Sequence, residues 1–219
     1  MWLKFAKYLE TLSERIRGKV YWKQTYKFFS KYNLVDGDTT FYDDSRYNPY
    51  DMTFVSMIDK LIESGEILKD DRIMDIGCGA GIFLIYLASK GFENLYGVEL
   101  DKSLVELANS NILNYHSRQG LGNVEISCNN ALEWEVNDDI NIFYLANPFR
   151  DKEVYTEWLD KVYKSLLRRK RDIKIILYFP TVASKAALQE CEWLAKKCEI
   201  TDKNQVCWRC VKFSVYENK

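Results

Sequence analysis

The chain has 219 residues, 47% of them hydrophobic, 15% aromatic and 29% charged, with a formal net charge of −1. That length and apolar content suit one large domain with a full core. The near-neutral balance excludes a basic surface spread over the whole molecule, as generic nucleic-acid binding would need, and no apolar run reaches the roughly 18 residues of a membrane span.

The N-terminus, Met1-Trp2-Leu3-Lys4-Phe5-Ala6-Lys7, meets charges at once and has no apolar signal core. Six scattered cysteines, at 78, 128, 191, 198, 207 and 210, fit a reducing compartment, so a cytoplasmic location is expected. Residues 1–32 stand apart, with eight Lys/Arg, two Glu and nine aromatics. Trp2, Phe5, Leu9, Leu12 and Ile16 recur at helical spacing, Gly18 ends or bends that helix, and Tyr21 to Tyr32 forms a second. Two readings stand: a helical layer packed on the main domain, or a basic amphipathic surface for a membrane or an acidic partner. Asp36 to Asp51 is polar and acidic and reads as a loop. The expected division is therefore an N-terminal helical extension and loop over 1–46 and a main domain over 47–219.

From residue 52 the pattern alternates. It predicts a helix over 52–65, a strand over 72–76, a helix over 81–90, a strand over 95–99 and a helix over 102–114. Strands over 123–128 and 140–146 follow, then a helix over 152–169, a strand over 173–179 and a helix over 183–197. The stretch 199–216, with Val206, Trp208, Val211, Phe213, Val215 and Tyr216, reads as two more strands. Such alternation predicts an α/β fold, a doubly wound and mostly parallel seven-stranded sheet with helices on both faces.

Ligands in such sheets bind at the carboxyl ends of the strands near the switch point. The first strand ends in Asp75-Ile76-Gly77-Cys78-Gly79-Ala80-Gly81, a turn whose glycines allow close approach to a ligand at a helix N-terminus. A dinucleotide fingerprint, G-x-G-x-x-G, would need glycine at Ile82, so that pattern fails. The second strand ends at Glu99-Leu100-Asp101, where a carboxylate can accept from two vicinal hydroxyls; alone, it is equally an acid favoured near a helix start. The third ends at Asn129-Asn130-Ala131, either a turn-former or a hydrogen-bonding site. The fourth ends at Asn147-Pro148-Phe149, where Asn and Pro also suit a plain strand-to-helix turn. Cys207-x-x-Cys210 lacks the four ligands zinc needs, His116 is the only histidine, and neither predicts a metal site. Arg168-Arg169-Lys170-Arg171, at a helix end, suits the helix dipole.

The D-x-G-x-G-x-G turn from Asp75 to Gly81 resembles motif I of the class I S-adenosylmethionine (SAM)-dependent methyltransferases. The resemblance runs over roughly 47–216 and implies SAM as cofactor. It implies that Asp75, Gly77, Cys78, Gly79, Gly81, Glu99 and Leu100 hold its methionine and ribose parts, and that Asn130 and Ala131 meet its adenine. Asn147-Pro148-Phe149 resembles the (D/N)-P-P-(Y/F) motif of amino-directed methyltransferases without its second proline, in an N-P-F form found in many bacterial members. It implies Asn147, Pro148 and Phe149 at the acceptor, with Asn147 also near the cofactor. Arg46-Tyr47-Asn48-Pro49-Tyr50 resembles segments that fold over SAM, which would set Tyr47 or Tyr50 beside the sulfonium or the substrate, with Tyr50 or Phe149 as a wall of the acceptor site; a hydrophobic staple is the other reading. Methyl transfer is a direct displacement in which the protein supplies position, so the lack of a catalytic His is no objection. The acceptor is unidentified, with nitrogen in view and a small molecule or protein favoured over nucleic acid. Rival expectations are a SAM-binding scaffold without catalysis, a nucleic-acid methyltransferase using the basic, aromatic N-terminal segment, and a nucleotide-linked oxidoreductase.

Overall fold

The computed structural model describes residues 22–37, 45–119, 123–201 and 211–219. The expected helix over Trp2–Ile16 and the Cys207/Cys210 pair lie outside the described residues. The elements are α1 (residues 22–32), α2 (Val55–Glu63), β1 (Arg72–Ile76), α3 (Ile82–Ser89), β2 (Asn94–Glu99), α4 (Lys102–Gln119), β3 (Asn123–Cys128), β4 (Ile142–Leu145), α5 (Lys152–Arg168), β5 (Lys174–Tyr178), α6 (Val182–Glu190), β6 (Leu194–Thr201) and β7 (Lys212–Asn218).

The seven strands are ordered β3-β2-β1-β4-β5-β7-β6, parallel from β3 to β5 and antiparallel at β7 and β6. Chain order reverses between β1 and β4, so their carboxyl ends mark the switch point. All four residues of β4 are buried, because helices cover both faces of a parallel sheet. Alternate side chains enter two separate cores. Tyr144 joins Met57, Ile58 and Phe83 on one face, and Phe143 joins Tyr155, Trp158 and Val162 on the other.

α3 is apolar all round, and Ile82 through Ala88 are buried. A helix of that kind needs cover on its outer side as well. α1 supplies part of it: Phe28 meets Tyr86 edge-on at 4.7 Å, and Tyr32 meets Tyr115 of α4 at 5.1 Å. α1 stops in a left-handed Asn33 with φ of 56°, and the Leu34 N–H donates to the Phe29 carbonyl at 3.0 Å, which closes the last turn.

One expectation is corrected. The helix predicted over 183–197 ends at Glu190, and residue 194 already begins β6. The strand was hidden in the sequence by a bulge. Lys196 pairs with Tyr216 while Cys198 pairs with Val215, so Lys197 is the extra residue. The bulge shifts the side-chain phase: Leu194 faces the Trp158 core, whereas Cys198 and Ile200 pack on the Phe83 core. The alternation on the two sides of the bulge is therefore out of phase. The 168–171 cationic run also does more than meet a dipole. Arg168 holds the Asp138 carboxylate at 2.7 Å and Arg169 pairs with Asp139. Arg171 donates to the Ile140 carbonyl and the Ser165 hydroxyl, each at 2.7 Å, which clamps the end of α5 to the segment before β4.

Candidate active site

The carboxyl ends of β1, β2 and β4 meet the segment from Tyr47 to Asp51 around a single cleft. Its lining includes Tyr47, Asn48, Tyr50, Asp51, Gly77, Glu99, Leu100, Ala131 and Asn147-Pro148-Phe149. The turn after β1 is held by its own amides. The N–H groups of Gly77 and Cys78 donate to the Val98 carbonyl at 2.9 and 3.1 Å, and that of Gly81 donates to the Cys78 carbonyl at 2.9 Å. The Gly79 N–H donates to Glu99 Oε2 at 2.9 Å, while Glu99 Oε1 accepts from the Asp101 N–H at 2.9 Å. Glu99 is 3% exposed, and this carboxylate both fixes the turn and borders the cleft.

Two glycines are required by close approach. Gly79, with φ of 52°, has the ring of Tyr50 lying where a side chain would go: a Cβ there would stand 2.0 Å from Tyr50 Cε2. Gly97 on β2 admits the Cys78 thiol, which would stand 2.7 Å from an added Cβ. Burial pushes the Cys78 thiol well up, with the Asp75 and Glu99 carboxylates adding to it.

Asp75 is buried at the end of β1, and its Oδ1 has no hydrogen-bond partner. Burial raises its pKa well above the aspartate range, and the nearby Glu99 charge raises it further.

Tyr50 is latched in place. Its hydroxyl donates to Asp36 Oδ1 at 2.9 Å, and burial, reinforced by that carboxylate, raises its pKa well above the tyrosine range. The Asp36 segment is itself tied down by Asn111 of α4. Asn111 Oδ1 accepts from the Val35 N–H at 2.8 Å, and its Nδ2 donates to the carbonyls of Val35 at 2.8 Å and Ala80 at 3.1 Å. One fully buried amide thus joins the latch to the glycine turn. Asn111→Ala should cost about 1–3 kcal/mol by orphaning these backbone groups, read as a lower denaturant midpoint; an unchanged midpoint would show that the tie carries no weight.

The segment Arg46–Tyr50 lies antiparallel to 147–150. Asn48 Nδ2 donates to the Asn147 and Phe149 carbonyls at 3.0 and 2.8 Å, the Asn48 N–H donates to the Pro148 carbonyl at 3.0 Å, and the Arg150 N–H donates to the Arg46 carbonyl at 2.9 Å. Asn147 is left-handed, with φ of 58°, a conformation asparagine tolerates. Its Oδ1 accepts from the Tyr155 hydroxyl at 3.3 Å. Pro148 closes on the turn, 3.0 Å from where a Gly77 Cβ would stand. Phe149 is 1% exposed, its ring packed edge-on against Tyr155 at 5.1 Å. Asn130 Oδ1 accepts from the Tyr47 hydroxyl at 2.8 Å and the Leu132 N–H at 2.9 Å, so it already serves a turn and a tether. The sequence reading missed Asp36, Asn48 and Asn111, because polar residues in a loop or mid-helix carry no signal until the fold brings them together. Among the described residues, no cluster of His, Cys, Asp and Glu could hold a metal, and no helix is long and apolar enough to cross a membrane.

Residues 73–168 match a family model described as a methyltransferase domain. Over that stretch, from β1 to α5, the chain is similar to the methyltransferase domain family. The chain is 39% identical over 71 residues to EEF1A lysine methyltransferase 2 of Danio rerio, covering 32% of this chain and 29% of that protein. Against the protein of the same name from Homo sapiens it is 25% identical over 135 residues, covering 60% of this chain and 52% of that one. The chain thus spans about half or less of these relatives. The fold matches a solved RNA methyltransferase from Salinibacter ruber in complex with S-adenosyl-L-homocysteine, with TM-score 0.52 and 17% identity over 76% of this chain and 92% of that one.

The residues present fit the family's cofactor. Among the described residues, the cleft lining holds the carboxylates of Asp51 and Glu99 and no Lys, Arg or His. A positively charged sulfonium and amino group suit it, and the buried Asp75 Oδ1 is an acceptor in want of a donor. A dinucleotide does not fit as well: its diphosphate needs cations or open amides, and here four amides of the turn are spent internally.

Proposed function

We propose that the chain binds SAM in this cleft and transfers its methyl group to an acceptor nitrogen. The lining, acidic and free of cations among the described residues, around a turn whose amides are already engaged carries this reading. The bound cofactor supplies an electrophilic methyl group on a positively charged sulfur.

The chain's own residues supply position. Glu99, which borders the cleft and holds the turn, accepts from the two ribose hydroxyls, a role that a two-oxygen carboxylate suits. Asp75 accepts from the cofactor's amino end, and Gly77, Cys78, Gly79 and Gly81 let the ligand lie against backbone. Leu100 and Ala131 border the adenine. Asn130 meets its amino group at the expense of the Tyr47 tether, a simple exchange of donors. Tyr50 presents its ring near the sulfonium, where a cation on an aromatic face is stabilised. Asn147 Oδ1, with one lone pair given to Tyr155, directs an acceptor N–H so that the nitrogen lone pair faces the methyl. Pro148 and Phe149 hold Asn147 in its left-handed turn.

The name of the lysine methyltransferase relatives supports nitrogen as the acceptor atom. Free thiols at Cys78, Cys128, Cys191 and Cys198 support a reducing, cytoplasmic setting. The catalytic unit is taken as 47–219, with 1–46 as its extension.

Calorimetry of the purified chain against SAM and NAD+ tests the first half: SAM binding without NAD+ binding is expected, and the reverse would overturn it. Formation of S-adenosylhomocysteine with fractionated lysate as acceptor tests the second. SAM binding with no turnover in any fraction would support the non-catalytic scaffold instead.

A further inference from the structure

We propose that the outer face of α1 is a docking surface for single-stranded nucleic acid that leads towards the cleft. Lys23, Lys27 and Lys31 recur every four residues and form one exposed stripe. None of the three makes an ion pair among the described residues. Arg118 of α4 extends the stripe, its guanidinium donating to the Lys31 carbonyl at 2.9 Å. At about 1.5 Å per residue the lysines span about 12 Å, a length that meets about three phosphates of one strand.

Charge alone would suit any polyanion, and two further features narrow it. Trp22 and Tyr26 stack on each other beside the lysines, with ring centroids 5.3 Å apart and an interplanar angle of 27°. Tyr26 remains 59% exposed, so its outer face can continue the stack with a base, which is how proteins hold single strands without reading sequence. A membrane fits less well, because the apolar residues of α1 that would insert, Phe28, Phe29 and Tyr32, are spent on the core. An acidic protein segment would use the lysines and leave the stacked pair idle.

The rest of the sequence agrees with this placement. The first 32 residues hold eight Lys/Arg and two Glu in a chain whose totals are 31 and 32, so positive charge is concentrated here and the remainder is net negative. The segment before α1 shares its sign and does not neutralise it. The stripe also points somewhere. Trp22 meets Phe54 edge-on at 5.2 Å, and Phe54 follows the cleft residues Tyr50 and Asp51 in the chain and packs on the same core as Tyr50. The inference does not rest on the cofactor reading, and SAM calorimetry run on the same variants keeps the two apart.

The test is fluorescence anisotropy with a labelled 12-nucleotide single-stranded RNA, over a salt series, on the full chain. Lys23→Glu/Lys27→Glu/Lys31→Glu is expected to weaken binding more than tenfold and to flatten the slope of log affinity on log salt by about 2, at about 0.7 per phosphate contact. Tyr26→Ala should weaken binding about tenfold with the salt slope unchanged. All these positions are exposed, so SAM binding should be retained in every variant. RNA affinity unchanged in the triple variant would overturn the proposal. So would poly-glutamate or phosphatidylserine vesicles binding as tightly as RNA with no dependence on Tyr26.

Discussion

Gly79→Ala is expected to lower SAM affinity at least about 100-fold, or about 2.7 kcal/mol. The new Cβ would stand 2.0 Å from Tyr50 Cε2, at a φ of 52° that alanine adopts only with strain. Either the turn moves and the Gly79 N–H leaves Glu99, or Tyr50 swings out and leaves Asp36. Both routes damage the cleft. The double variant Gly79→Ala/Tyr50→Ala separates overlap from loss of fold. Removing the ring should recover most of the melting temperature lost by the single variant, but little of the affinity. Calorimetry and thermal melts read the two quantities; a Gly79→Ala chain that binds SAM normally would sink the placement of the cofactor against this turn.

Asp75→Asn should divide function from stability. Burial, then the Glu99 charge, hold the Asp75 pKa well above its ordinary value of 3.8. A raised folded pKa means that the folded chain keeps its proton where the unfolded chain has lost it. Stability is therefore full below about pH 3.8 and falls as pH rises, at about 1.4 kcal/mol per pH unit until the folded pKa is passed. An asparagine does not ionise. The melting temperatures of Asp75→Asn and wild type, without cofactor, should coincide at the acid end and diverge in favour of the variant towards pH 8. SAM affinity should move the other way and fall tenfold or more, because the cofactor's positive charge favours the ionised carboxylate and an asparagine cannot ionise. An Asp75→Asn chain that is less stable than wild type at pH 8 would show that the carboxylate is not held against an electrostatic cost.

The parts of this molecule that were legible in its sequence are those encoded locally. The glycine turn, the acid at the end of β2 and the strand–helix alternation each occupy a few consecutive residues whose chemistry is strong by itself. The latch was not legible because it joins Asp36, Tyr50, Asn111 and Ala80, which only the fold brings together. β6 failed for a different reason: one bulged lysine broke the periodicity that identifies a strand. The even hydrophobicity of α3, which says nothing about which side faces the sheet, makes sense once α1 is seen covering it. At the site, Asn147-Pro148-Phe149 fixed attention on the strand end, while Asn48, which ties that turn to the facing segment, looked like any loop asparagine.

The position of β7 sets an order on how the chain can be assembled. It follows β6 in sequence yet lies between β6 and β5, and among the described residues it is the sole sheet neighbour of β6. The five parallel strands are complete once residue 178 has been made, and the cleft with them. From then until residue 212 emerges, β5 carries an open edge of buried-type side chains, Ile175, Ile176 and Leu177, and β6 has nothing to pair with. A nascent chain halted in that interval holds a finished cofactor cleft beside a sticky edge. The vulnerability to misassembly during synthesis thus falls at the far side of the sheet from β2 and β3, between residues 178 and 212.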